Sequence, residues 1–224
     1  MMAWRKLWGC ILTDENPKTE QLIRRAATSD VDAMAELMAM HRDRLRKMVA
    51  VRLDQRLSPR LDPSDVVQET MLKAVAKMPE YLKDRPIEFY PWLRQLAWDQ
   101  MVDSFRKHVV AQRRSVDREI DMDRDLIPAL PDQSTAMLAE ILVAKQSSPS
   151  RRLQLNHIQD RVSEALRAIN PAYREVLVMR YLEELSLGEI AQCLGDSDSA
   201  IKSRHVRALK QLAKALNQNG LSND

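Results

Sequence analysis

Apolar residues recur along most of this chain at intervals of three and four, the spacing that lines one face of an α-helix. Leu22, Ile23, Ala26 and Ala27, then Met34, Leu37, Met38, Leu45, Met48 and Val49 follow that rhythm, which breaks near Ser29-Asp30, where a new cap can start a second helix. The stretch from Leu57 to Leu61, with Pro59 at its centre, reads as a loop. Asp62-Pro63-Ser64-Asp65 supplies an N-cap, a proline at the first helical position and an acid at the positive end of the helix dipole. The helix it starts carries Val66, Val67, Met71, Leu72, Val75 and Met78; its expected core face is Val67, Met71 and Val75, and it is expected to end before Pro79. Beyond a loop at Lys83 to Pro86, Phe89, Trp92, Leu93, Leu96, Ala97, Met101, Val102 and Phe105 mark another helix, with Pro91 tolerated near its start.

From about Asp117 to Ser150 the periodicity weakens, and Pro128, Pro131 and Gln146 to Ser150 read as a linker with one short helix around Met137 to Val143. A third section opens with a helical pattern from Leu153 to Ile169, breaks at Asn170-Pro171 and resumes from Tyr173 to Tyr181. Ser186-Leu187-Gly188-Glu189 has the S-x-x-E form of a capping box, Gly195 supplies a turn, and Ser197 can cap a last helix through Ile201, Val206, Leu209, Leu212 and Leu216. Helix, tight glycine turn and helix make a helix-turn-helix, whose crossing Ile190, Ala191, Leu194, Ile201 and Leu209 are expected to fix. Only four of the 224 residues are Gly, and helix formers dominate throughout. The predicted fold is all-α: an N-terminal extension (1–20), a first helical domain (21–116), a linker (117–152) and a second helical domain (153–218) carrying the helix-turn-helix.

Charge adds a distribution rather than a total, because the net value is only +3. Basic residues cluster from Arg42 to Arg60, from Arg106 to Arg114 and from Lys202 to Lys214, and an acidic run from Asp117 to Asp132 separates the last two. Each cluster alone reads first as a solvated helix face, with a phosphate-binding stripe as the alternative. On the second helix of the helix-turn-helix the exposed positions are Ser199, Lys202, Ser203, Arg204 and Arg207, types that bond phosphates and base edges in a major groove. The acidic run would be repelled by DNA and suit a basic channel on a partner.

The remaining chemistry narrows the class. Cys10 and Cys193 lie far apart with no ligand-spaced partners, so neither a disulfide framework nor a zinc site is indicated and a reducing cytoplasm fits. The twelve N-terminal residues are too short and too charged for a secretory core or a membrane span; they read as a weakly ordered extension or, alternatively, a membrane-surface helix. No glycine-rich phosphate loop and no nucleophile–base pair is visible, and His41, His108, His157 and His205 are scattered, best read as surface or DNA-side residues. Neither catalysis nor a cofactor is expected.

Leu185 to Gly195, followed by Ala200-Ile201-Lys202-Ser203-Arg204 and Arg207-Ala208, resembles the C-terminal domain of extracytoplasmic-function sigma factors of the sigma-70 family, which reads the −35 promoter element. Asn170 to Leu177 and Arg180-Tyr181 resemble the segment that precedes that motif. Upstream, Asp62 to Ala74 resembles the family's polymerase-binding helix, in which an Asp-x-x-Gln-Glu cluster meets the β′ coiled coil; here it is Asp65, Gln68 and Glu69, one helix face by spacing. Phe89 to Arg114 is similar to the segment that opens and reads the −10 element, and Trp98, Asp99, Arg106, Lys107, Arg113 and Arg114 are its candidate DNA contacts. Many members carry Asn after a basic residue where this chain has Trp98-Asp99, so base contacts do not carry over there; Trp98 reads either as a stacking platform or as core. The resemblance implies core RNA polymerase (its β′ coiled coil and β subunit) and promoter DNA as partners, with an anti-sigma factor as a further one. Two rivals stand beside it: a self-standing helix-turn-helix regulator and a nucleic-acid enzyme built on a carboxylate cluster.

Overall fold

The computed structural model describes residues 17–28, 30–53, 62–112, 132–144 and 152–220. All regular elements among them are helices: α1 (Pro17–Ala26), α2 (Val31–Arg52), α3 (Pro63–Asp84), α4 (Phe89–Gln112), α5 (Asp132–Ala144), α6 (Arg152–Ala168), α7 (Pro171–Tyr181), α8 (Leu187–Leu194) and α9 (Asp198–Gly220). Their starts are chemical. The Asp30 carboxylate accepts from the Ala33 N–H, Asp62 from Ser64 and Asn170 from Ala172, and Pro63 and Pro171 stand at helix starts where no N–H is needed. Helix α1 begins inside the stretch read as an N-terminal extension, and Thr19 is already buried. The expected loop at Leu57 to Leu61 lies outside the described residues.

Helices α1 to α4 form the first unit, around Leu22, Ile23, Leu37, Leu45, Met48, Met78, Phe89 and Leu93. Helix α3 does not stop at Pro79 as the sequence suggests but runs through it to Asp84. Pro79 is exposed, so the carbonyl it leaves without a helical partner can face water, while Met78 and Tyr81 beside it are anchored in the core. The core face of α3 also differs from expectation: Val66, Val67, Thr70, Ala74 and Met78 are buried, whereas Met71 is half-buried and Val75 is 46% exposed.

Helices α5, α6, α7 and α9 form the second unit, around Leu138, Ala139, Val162, Leu166, Leu177, Val178, Ala208 and Leu212. Helix α5 falls in the stretch read as a linker, yet Leu138 and Ala139 are fully buried against this unit. It also reaches the first unit, where the Ser134 hydroxyl donates to the Val51 carbonyl at 2.5 Å. Helix α8 packs on α4 as well as on α9, so Val176, Met179, Leu185, Ile190 and Ala191 continue the first unit's apolar cluster.

His41, expected at the surface, is a core residue. Its ring lies 5.3 Å from Phe89 and 5.7 Å from Tyr90, with Nε2 3.4 Å from the Thr19 hydroxyl. Burial, helped by the charge of Arg44, lowers its pKa to about 4. The unfolded chain therefore binds the proton first as pH falls, so this contribution is full above the ordinary imidazole value of 6.5 and drains between 6.5 and 4. Unfolding titrations are expected to show about 2 kcal/mol lost between roughly pH 7 and 5 on this account. His41→Leu should remove most of that slope, leaving the part due to His205, whose pKa burial also lowers.

Candidate functional site

The helix-turn-helix is built locally. The Ser186 hydroxyl accepts from the Glu189 N–H at 3.0 Å and the Glu189 carboxylate accepts from the Ser186 N–H at 2.7 Å, closing the capping box that starts α8. Gly195 ends it at φ +66°, a left-handed conformation in which a side chain would be strained. Ser197 then caps α9, its hydroxyl accepting from the Ala200 N–H at 3.2 Å. Ile190, Ala191 and Ile201 are buried at the crossing as expected, but Leu194 is 37% exposed and Leu209 half-buried. Ala208 and Leu212 fill the core instead, two and three turns on from Ile201 along the same face of α9.

The first turns of α9 present Ser199, Lys202, Ser203 and Arg207 to solvent, with Arg204 half-buried beside them. Ser199 lies 3.1 Å from the Ser197 hydroxyl, and Arg204 pairs with Asp196 at 2.8 Å. Five donors thus share one exposed helix end, in the form needed to enter a groove.

On α3, Asp65, Gln68 and Glu69 are all exposed. Glu69 is tied to α4, accepting from the amide of the buried Gln100, whose carbonyl in turn accepts from Lys73. One and two turns on from Gln68 stand Leu72, 66% exposed, and Val75. The sequence pattern assigned Val75 to the core face; solvent-facing beside Leu72, it turns a polar patch into one with an apolar centre.

Helix α4 carries the other candidates. Trp98 is half-buried against the core, the Arg52 guanidinium carbon 5.8 Å from its ring centroid. Asp99 is exposed, and partial burial together with the charge of Asp103 raises its pKa. Arg106 and Lys107 belong to the last turns of α4, while Arg113 and Arg114 lie outside the described residues, as does the acidic run before Asp132.

Sequence reasoning missed a group of charges between the two units. Arg52 donates to Glu183 at 2.7 Å and to both oxygens of Glu175 at 2.9 and 2.6 Å, and Arg94 donates to Glu183 at 2.7 Å. The Glu183 side chain is wholly buried. Burial opposes its ionisation, but the charges and hydrogen bonds of Arg52 and Arg94 outweigh that and hold its pKa down to about 2. Nearby, Arg44 forms a bidentate pair with Glu189, both bonds 2.8 Å, and donates to the Glu184 carbonyl at 3.1 Å. Glu189 was marked only as part of the capping box, and no local pattern pairs these residues, because the partners are separated by 89 to 145 positions.

Fold and surfaces define a two-unit helical protein with a helix-turn-helix in its second unit. Residues 37–109 match the family model of sigma-70 region 2 and residues 165–214 that of sigma-70 region 4, together more than half of the chain. The chain is similar to the ECF RNA polymerase sigma factor BldN of Streptomyces coelicolor, 23% identical over 202 residues, covering 90% of this chain and 67% of that one. It is likewise similar to the ECF RNA polymerase sigma-E factor of Escherichia coli, 27% identical over 187 residues, 84% of this chain and 88% of that one. Among solved structures, CnrH in complex with the cytosolic domain of CnrY aligns with a TM-score of 0.49 at 21% identity, over 90% of this chain and 98% of that one. The chain belongs to the sigma-70 family of RNA polymerase sigma factors, in its extracytoplasmic-function group. It is a transcription initiation factor whose partners are RNA polymerase and promoter DNA. No helix among the described residues is long and apolar enough to cross a membrane.

The two faces of α3 are separable by mutation. Met78→Ala is expected to destabilise the protein by about 2–5 kcal/mol, whereas Leu72→Gln should stay within roughly 0.5 kcal/mol, both read by chemical denaturation. Equal losses would mean that the exposed face has been misassigned.

Proposed function

We propose that the labour of initiation is divided between the two units: residues 21–116 dock on polymerase and engage the −10 element, and residues 153–218 read the −35 element. The order of the two matched regions along the chain carries this reading. Asp65, Gln68 and Glu69 contact the β′ coiled coil, and Leu72 and Val75 add the apolar centre that polar rims surround in protein interfaces. Arg106, Lys107, Arg113 and Arg114 hold the backbone of the −10 strand, with Trp98 and Asp99 beside them. Ser199, Lys202, Ser203, Arg204 and Arg207 engage the major groove of the −35 element. The protein acts in the cytoplasm, and polymerase supplies all the catalysis.

Gln68→Ala and Leu72→Ala are each expected to weaken binding to core polymerase by about 1–2 kcal/mol in a pull-down titration, with circular dichroism unchanged. Glu69 is less suited to this test, since its loss also strips Gln100 of a partner. On the DNA side, Lys202→Ala should lower the salt slope of −35 binding by about one if it contacts phosphate, and Arg204→Ala should cost about 1–3 kcal/mol if it contacts a base. Footprinting of holoenzyme over mutated −35 sequences distinguishes these. Occupancy and salt slope unchanged in both variants would remove the recognition-helix assignment, and tight specific binding by the free chain would favour a stand-alone regulator.

A further inference from the structure

The turn of the helix-turn-helix carries an acid where DNA would be met. Asp196 follows Gly195, is exposed, and stands at the end of α9 that presents Ser199, Lys202, Ser203 and Arg207. A carboxylate there is repelled by the phosphates it approaches, so a local task must offset that cost. Starting α9 is not that task, because the Ser197 hydroxyl accepts from the Ala200 N–H and the Ser197 carbonyl from the Ile201 N–H. Nor is closing the turn, which Asp196 serves through its backbone N–H, donated to the Ala191 carbonyl at 3.0 Å. What the side chain does hold is Arg204, whose Nη2 lies 2.8 Å from a carboxylate oxygen. Lys202 and Arg207, the other exposed cations in this stretch of the described residues, have no ion pair.

The two partners of the pair are unequal. The backbone bond fixes where Asp196 stands, whereas an unrestrained arginine samples many rotamers and loses them on binding. The contact engages one nitrogen of a planar group with five N–H donors, so another edge of the guanidinium remains for a bidentate partner. In the major groove the acceptor pair that fits such a fork is guanine O6 with N7. The side chains of Arg204 and Asp196 are 29% and 34% exposed, so the pair shifts an equilibrium by at most about fivefold. That is too little to hold the fold together, but enough to bias which group on DNA the arginine meets.

We propose that Asp196 is a positioning residue that buttresses Arg204 for reading the guanine of a G·C pair in the −35 element and withholds it from the phosphate backbone. The inference rests on the proposed reading of α9 as the recognition helix. Swinging to a phosphate forfeits the pair, whereas reading the base keeps it. The carboxylate therefore raises discrimination although it lowers affinity for DNA at large.

The test offers holoenzyme, assembled from core polymerase and the full chain, a pool of duplex promoters randomised across the −35 element, and the bound fraction is sequenced. Wild type is expected to select G·C at one position, a preference that Arg204→Gln lowers by about five- to a hundredfold. Asp196→Ala should lower the preference at that same position by about three- to fivefold. It should also tighten binding to promoter-free duplex and steepen the salt slope of that binding by about one. In the Arg204→Gln background, Asp196→Ala should relax no further position and leave the slope unchanged. Asp198→Ala removes an equal charge from the same exposed helix end; it should raise binding to every sequence alike and relax none. A G·C preference that survives Asp196→Ala intact, or that Asp198→Ala lowers as much, would overturn the buttress. So would an Arg204→Gln chain that relaxes no position while Lys202→Ala and Arg207→Ala alter selection or salt slope, a result that leaves α9 as the recognition helix. Selection and salt slope unchanged in all three cation variants would strike the recognition-helix reading itself, and the buttress with it.

Discussion

The arrangement of the two units turns on one buried carboxylate. Glu183 sits in the turn after α7, reaches no water, and accepts hydrogen bonds from Arg52 and Arg94, which come from different helices of the first unit. Neither arginine could be buried alone, because an isolated guanidinium in a low-dielectric interior is far costlier than its packing returns. The second unit rests against α2 and α4 through these charges and through Val176, Met179, Leu185 and Ile190, which continue the first unit's apolar core.

Around that point local and long-range requirements coincide in single residues. Glu189 completes the capping box of α8 through Ser186 and at the same time receives Arg44, whose guanidinium also lies 3.7 Å from the Tyr90 ring centroid. Tyr90 in turn neighbours His41, so the second unit's helix start is linked through three contacts to the centre of the first unit's core.

Much of the fold was legible in the sequence, because helix starts are written in short patterns: Asp30, Asn170-Pro171, Ser186 with Glu189, and Gly195 all act where spacing places them. Pro79 was misread because a proline's cost depends on whether its freed carbonyl meets water, which only the tertiary face decides. His41 and Val75 were misread for a related reason: a half-turn of rotation separates buried from exposed, and α2 and α3 carry apolar residues around more of their circumference than one stripe. The recognition helix and the α3 patch could be found from short spacings, but the charges joining the units could not, since Arg52 and Glu183 are 131 positions apart and neither stands in a distinctive local pattern.

Helix α5 has a share in both units. Its buried residues belong to the second unit's core, while its Ser134 hydroxyl bonds the Val51 carbonyl at the end of α2. The segment separating the two matched regions is therefore more than a spacer: a substitution on α5 is felt in the second unit's core and at the end of α2 alike.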